Sequence, residues 1–368
     1  MSGRIIQPFL LLRRREMLAM ADVPAANYTL IPLTFKCITG GVLSIKNENT
    51  SYDRNFEYSL NDGAWTAFSL PASSGVLPIA TLSPGDTISF RKDGDDFYQA
   101  QFVSDSNLTF NIYGNILSLQ YGSSFNGQTE LRNTSKQAFG YTFKGVNVVD
   151  ASNLKLPATT LSTGCYQAMF QGCALLVSAP ELPATNINGN CYRSMFAQCS
   201  SLVNAPSILP ATSLSDVDGK AECYRAMFYD CTSLVTAPEL PATTLGQGSY
   251  YQMFYNCTSL VNAPTLPATA IYKETYMQMF RNCSSLVTAP VILATTASGN
   301  QSCNRMFMGC QSLNYVKCLL TNRTGSYVMF EWLNGVAATG TFVKAPNATW
   351  ESGVSGIPSG WTVIDATD

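Results

Sequence analysis

The chain has 368 residues, a formal charge of −2 and only 12% charged residues against 46% hydrophobic ones. That balance excludes a global basic field for nucleic acid. The absence of histidine removes Ser-His-Asp and Cys-His nucleophile pairs, His-bearing zinc sites and the usual general base near neutral pH.

Residues 1–27 form the first unit. Ile5, Ile6, Phe9, Leu10, Leu11 and Leu12 make a short apolar run, and Arg13, Arg14 and Arg15 follow it directly. The run is far shorter than the ~20 residues that span a bilayer. Its arginines come after the apolar stretch rather than before it, which is the wrong order for a secretory signal. An exposed apolar run needs a cover, so these nine residues are read as an assembly arm that docks on a partner.

Residues 28–120 carry short alternating or β-rich runs, such as Tyr28–Phe35, Gly41–Ile45, Thr87–Phe90 and Leu108–Tyr113. Asn61-Asp62-Gly63 between Glu57-Tyr58-Ser59 and Trp65–Phe68 is a strong hairpin signal. This spacing without helical periodicity predicts an antiparallel β-sandwich of the immunoglobulin-like kind.

The region 121–318 is dominated by a repeat. A phrase ending Met-Phe-x-x-Cys recurs at Met169, Met195, Met227, Met253, Met279 and Met306, at intervals of 26, 32, 26, 26 and 27 residues. Six regular repeats start at residue 165, after a degenerate first coil at about 140–161 that lacks the Met and Cys. A fixed period in this range predicts a solenoid. In Cys191-Tyr192-x-x-Met195-Phe196-x-x-Cys199 the apolar residues stand at spacings near three and four, which predicts about two helical turns with one buried face. A short extended stretch such as Ser201–Ala205 follows, and a proline (Pro180, Pro206, Pro238, Pro264, Pro290) stops it. Stacked at ~4.8 Å per strand, six such coils would form a rod of roughly 30 Å. Residues 319–368 lose the phrase and are read as a C-terminal cap, because terminal repeats of a stack are atypical.

Nine of the twelve cysteines occupy two repeat columns. The closing column (173, 199, 231, 257, 283, 310) is complete, whereas the opening one changes from Cys165, Cys191 and Cys223 to Ser249, Thr275 and Ser302. A disulfide partner should not vanish while its mate stays, so these are read as buried free thiols. No metal site is assigned, since no C-x₂-C pair occurs.

Three surfaces are candidates for binding. Arg193 and Arg225 share one column on the helical side, and a small polar column of Asn204, Thr236, Asn262 and Thr288 precedes the strand proline. The six extra residues of the second-to-third interval lie in a segment holding Asp216, Asp218 and Glu222. Those carboxylates are of the calcium-binding type, but the EF-hand spacing is absent. The segment is therefore read as a solvated loop on a binding face. No catalytic or cofactor-binding residue is assigned.

The phrase Met-Phe-x-x-Cys-x-Ser-Leu-Val-x-Ala-Pro-x-Leu-Pro resembles the BspA-like class of leucine-rich repeats, over about 165–318. It departs from that class in having Met for Ala, a proline inside the strand region and a longer coil. The expected fold is therefore multidomain: an N-terminal antiparallel β-sandwich, then a leucine-rich-repeat α/β solenoid with a C-terminal cap. The chain also looks like repeat proteins of gut bacteria and their phages. The resemblance implies a surface or virion protein for adhesion or binding rather than a catalyst, and fibres of this build are often homo-oligomers. The absent export signal, the free thiols and the order of arm, sandwich, solenoid and cap favour a non-enzymatic virion fibre protein. Its arm would contact other virion proteins, and its solenoid a host-surface glycan or protein. It would use no cofactor, no nucleic acid and no membrane insertion. The alternatives are a bacterial cell-surface adhesin and, less favoured, a carbohydrate-active enzyme.

Overall fold

The computed structural model describes residues 27–48, 51–94, 100–132, 137–215 and 222–367. The arm residues Ile5 to Arg15 and the loop carboxylates Asp216 and Asp218 lie outside the described residues.

Eight strands come first. They are β1 (Leu33–Thr39), β2 (Gly41–Asn47), β3 (Arg54–Leu60), β4 (Thr66–Leu70), β5 (Leu77–Leu82), β6 (Thr87–Arg91), β7 (Ala100–Ser104) and β8 (Thr109–Asn115). One antiparallel sheet runs in the order β8-β1-β6-β3-β4, and a second in the order β5-β2-β7. The β3–β4 hairpin turns on Asn61 and Asp62, both with positive φ (50° and 56°). Short polar side chains tolerate that geometry, which matches the twist of a hairpin. Alternate apolar residues of the two sheets meet in a fully buried core, where Phe35 of β1 lies 4.8 Å from Phe102 of β7 and 5.3 Å from Phe90 of β6.

The sheet does not end at β8. After the one-turn α1 (Ser118–Tyr121), β9 (Val148–Asp150) and β10 (Leu154–Lys155) add to β8 in parallel. Phe143 enters the sandwich core beside Phe35 (5.9 Å) and Phe102 (5.8 Å), and on its other side stacks on Phe170 at 5.3 Å. The first repeat is therefore built directly onto the sandwich, and one buried cluster runs from Leu33 to Trp361.

From there the chain advances by parallel ladders between successive repeats. β11 (Ser213–Leu214) pairs with β12 (Thr244–Leu245), and β13 (Ala270–Ile271) pairs with β14 (Thr296–Ser298). After β15 (Tyr315–Cys318) comes β16 (Asn322–Thr324), which joins β14. β17 (Gly340–Lys344) and β18 (Trp361–Asp365) extend β15 into a closing three-stranded parallel sheet. Single-residue parallel bridges make the remaining ladders, among them Ser178 to Asn204, Thr236 to Asn262 and Thr288 to Tyr315. The prolines keep these strands to one or two residues.

The expected helix-containing α/β leucine-rich-repeat solenoid is overturned. The structure is almost all β, with 29% strand and 3% helix, and the four-residue α1 is the only α-helix among the described residues. The Tyr-x-x-Met-Phe-x-x-Cys segments instead form a ribbon of consecutive turns. In the first regular repeat Gln167, Met169, Gln171 and Cys173 each donate their N–H three residues back, at 3.0–3.2 Å. The alternate residues Tyr166, Ala168, Phe170 and Gly172 donate instead to the next repeat, at 2.8–2.9 Å. Half of the backbone donors are thus satisfied by a neighbour, which an α-helix never permits.

Every fourth residue of the ribbon has positive φ. The sets include Gly164, Ala168 and Gly172; Asn190, Ser194 and Gln198; Glu222, Ala226 and Asp230; Gly248, Gln252 and Asn256; Glu274, Gln278 and Asn282. Left-handed residues at that period break any helix, because an L-residue there costs roughly 1–2 kcal/mol and repeats of it do not propagate. The turn ribbon still places Tyr, Met, Phe and Cys inward, so the three–four spacing of apolar residues is the same as on a helix face.

The inward residues stack by type. Phe143, Phe170, Phe196, Phe228, Phe254, Phe280 and Phe307 form one column with centroids 5.3–5.6 Å apart. Tyr166, Tyr192, Tyr224, Tyr250 and Tyr276 form a second, at 5.7–6.1 Å. None of the twelve cysteines is in a disulfide, and all are buried. The complete closing column has a reason: each thiol donates to the carbonyl of the stacked Phe one repeat earlier, from Cys173 to Phe143 O (2.9 Å) through to Cys310 to Phe280 O (2.9 Å). Sulfur fills the space of a small apolar group and supplies a weak donor. In the opening column Cys191, Ser249, Thr275 and Ser302 each donate to the carbonyl three residues back, at 2.6–3.0 Å. A hydroxyl serves there as well as a thiol, so that column is free to vary.

Candidate functional site

The outward side of the ribbon is where the sequence varies. Between the inward Tyr, Met, Phe and Cys lie two outward columns, and in the middle repeats they hold Arg193, Arg225 and Tyr251 in one and Tyr229, Tyr255 and Arg281 in the other. Because repeats superpose rung on rung, consecutive members touch. Tyr229 and Tyr255 stack at 4.7 Å with an interplanar angle of 12°. The Arg281 guanidinium lies 5.4 Å from the Tyr255 ring, and that of Arg225 lies 4.3 Å from Tyr251.

Glu222 joins the predicted arginines. It takes Arg225 Nη1 at 2.5 Å and Arg193 Nη1 at 3.0 Å, so one carboxylate clamps two repeats. Glu222 itself sits at a left-handed position of the ribbon, with φ of 58°. Amide rungs extend the order: Asn256 Nδ2 donates to Asp230 at 2.8 Å, and Gln252 Nε2 to Gln278 at 2.9 Å. Burial, with Asp230 and Tyr255 alongside, raises the Tyr229 hydroxyl above its ordinary value, so at neutral pH it is an uncharged donor. The result is a ladder of aromatic rings and fixed cations on a rigid backbone. Tyr and Arg are the residues that dominate binding hot spots, since they offer area with few rotors to freeze.

Arg193, Arg225 and Glu222, singled out from sequence, are thus brought together. Asn204, Thr236, Asn262 and Thr288 are not part of this ladder. They lie on the separate line of single-residue bridges, where Asn204 Nδ2 donates to Ser178 Oγ (2.8 Å) and Asn262 Nδ2 to Thr236 Oγ1 (3.1 Å). Beside them runs a row of exposed valines, Val203, Val235, Val261 and Val287. Their polar groups largely serve one another.

Tyr229, Tyr251, Tyr255 and Arg281 were missed by the sequence reading. The signal was available once the repeats were aligned by column, since Tyr229-Tyr255-Arg281 and Arg225-Tyr251 are then vertical neighbours.

Among the described residues no group of three or more His, Cys, Asp or Glu side chains is placed to hold a metal ion. No helix among them is long and apolar enough to cross a membrane. The fold and this surface define a repeat protein whose β-sandwich carries a stack of turn-and-strand coils. No protein family model, no characterised protein and no solved structure matches the chain.

Proposed function

We propose that this chain is a non-enzymatic attachment protein of the BspA-like kind, carried in a phage virion, whose repeat stack binds a glycan or protein on the host surface. The observation that carries the reading is the ribbon ladder, in which stacked tyrosines and arginines repeat at a fixed rung spacing along a rigid face. A surface of this kind matches an extended partner better than a small substrate, because repeat stacks present long faces rather than deep clefts. The low charge and the reduced thiols agree with a protein made in a reducing cytosol. A cell-surface adhesin would use the same ladder.

The test is flow cytometry of fluorescently labelled protein on a panel of intact gut bacteria. The wild-type chain should label a subset of strains. Tyr255→Ala combined with Arg225→Ala should weaken that labelling by about thirtyfold or more, the scale of losing hot-spot residues at ~2 kcal/mol. Undiminished labelling by this variant, with loss in an Asn204→Ala, Thr236→Ala variant, would move the binding face to the bridge line and overturn the proposal.

A further inference from the structure

The outward face of the ribbon carries more cations than it neutralises. Backbone register places Lys144, Gln171, Ala197, Tyr229, Tyr255 and Arg281 in one column. The residue after each of the first five donates its N–H to the carbonyl of the next member, at 2.6–2.9 Å. No carboxylate stands among these six. Lys144 is exposed, with its Nζ 5.4 Å from the centre of the Tyr141 ring, and the Arg281 guanidinium lies 5.4 Å from that of Tyr255. Arg281 is half-buried: its Nε is covered, but its two Nη groups are not.

The other charges of the ribbon are engaged with one another. Arg193 and Arg225 share Glu222, and Arg305 Nε meets Glu331 at 2.8 Å. Asp230, the residue after Tyr229, accepts from Asn256, and Glu274 lies 3.9 Å from Lys273. Lys144 and Arg281 have no carboxylate partner among the described residues. They stand five rungs apart in the column, roughly 24 Å at ~4.8 Å per rung. Two surplus cations over that length fit a chain whose anions are sparse. A nucleic acid strand carries a phosphate every ~3.4 Å, and the net charge of −2 supplies no field for it. A polysaccharide with an acidic group on some of its sugars has the wider spacing. Its hydroxyls suit the phenols of Tyr229 and Tyr255 between the two cations, since a phenol both donates and accepts.

We propose that this column binds an acidic polysaccharide laid along the stack, its anionic groups on Lys144 and Arg281 and its hydroxyls on Tyr229 and Tyr255. The inference rests on the attachment reading above and names the class of glycan that the ladder takes. The shared chemistry is an anionic oxygen, carried by a carboxylate or by a sulfate ester, and the open Nη groups of Arg281 form charge-assisted hydrogen bonds with either.

The experiment is biolayer interferometry of the full chain on immobilised dextran, carboxymethyl-dextran and dextran sulfate, which varies the charge on one backbone, with single-stranded DNA alongside. At least one acidic dextran should bind tenfold or more tighter than dextran, and the tighter of the two identifies the anion. Lys144→Gln combined with Arg281→Gln should weaken that binding tenfold or more at an unchanged melting temperature. Lys144→Arg with Arg281→Lys keeps both charges and should retain most of it. Lys36→Gln removes an exposed cation of the sandwich and should change nothing. Dextran bound as tightly as both acidic forms, or no polymer bound at all, would overturn the anion. DNA bound as tightly as the better dextran would overturn the polysaccharide, and full affinity in the double Gln variant would overturn the column. The attachment reading fails on a different readout, the absence of labelling on intact bacteria, and it stands if labelling persists while the dextrans are not told apart.

Discussion

Raising the pH from 8 to about 10.5 unfolds this protein in one steep transition. The thiols set the window. Burial pushes Cys173, Cys191, Cys310 and Cys318 up to about 12, and raises Cys165, Cys199, Cys257, Cys283 and Cys303 well above their ordinary value. An unfolded chain ionises its cysteines near 8.5. Each raised thiol therefore contributes stability that is fully present below that value. The contribution is lost as pH rises toward the folded value, because only the unfolded state can release the proton. For one thiol shifted to about 12 the loss is about 2 kcal/mol at pH 10. Several such thiols together exceed the ~5–15 kcal/mol that holds a domain folded. The buried tyrosine column is raised by burial in the same way and steepens the transition. Circular dichroism and thiolate absorbance, recorded together against pH, should change at one midpoint between about 9 and 10.5. Thiolate absorbance that titrates near 8.5 while the fold persists would show that the thiol columns are not buried as described.

Phe228→Ala should cost about 3–5 kcal/mol, the range for a large ring removed from a closed core. Phe228 is fully buried and lies 5.6 Å from both Phe196 and Phe254, so both interfaces of one repeat lose their packing. Its backbone also receives the Cys257 thiol at 3.1 Å. Repeats couple only to their neighbours, so a cavity in the middle repeat separates the two halves energetically. Urea unfolding followed by fluorescence should show a lower midpoint together with a broadened or two-step transition, since the halves no longer melt as one. The half-buried Tyr255→Ala should lose much less and stay cooperative. A loss below ~1 kcal/mol for Phe228→Ala would mean that the Phe column is not the spine of the stack.

Much of the fold was legible because its signals are local. The hairpin at Asn61-Asp62 announces itself through residues that accept positive φ. The period of the Met-Phe-x-x-Cys phrase sets the rungs, and the fate of each cysteine column follows from which carbonyl its side chain reaches. The helix expectation failed for a physical reason. A ribbon of turns and an α-helix both bring residues three and four apart to one side, so the apolar pattern alone cannot separate them. The discriminating feature was the glycines and asparagines at every fourth position, as in Gly164, Gly172, Asn190, Gly248, Asn256 and Asn282, which mark left-handed backbone. The ribbon ladder was legible only in part. Arg193, Arg225 and Glu222 stood out by charge, whereas Tyr229 and Tyr255 form a surface only when repeats stack, a relation between residues 26 apart.

The ribbon itself is tested most directly by Ala226→Gly, followed by urea denaturation. Ala226 has φ of 52° and is not fully buried. Glycine relieves a left-handed strain of roughly 1–2 kcal/mol, offset by about 0.4–1 kcal/mol of extra freedom in the unfolded chain. The substitution should leave stability unchanged or raise it by up to about 1.6 kcal/mol. In a helix the same change would lower stability by about 1 kcal/mol, and that result would contradict the turn ribbon on which the stack and its outward ladder are built.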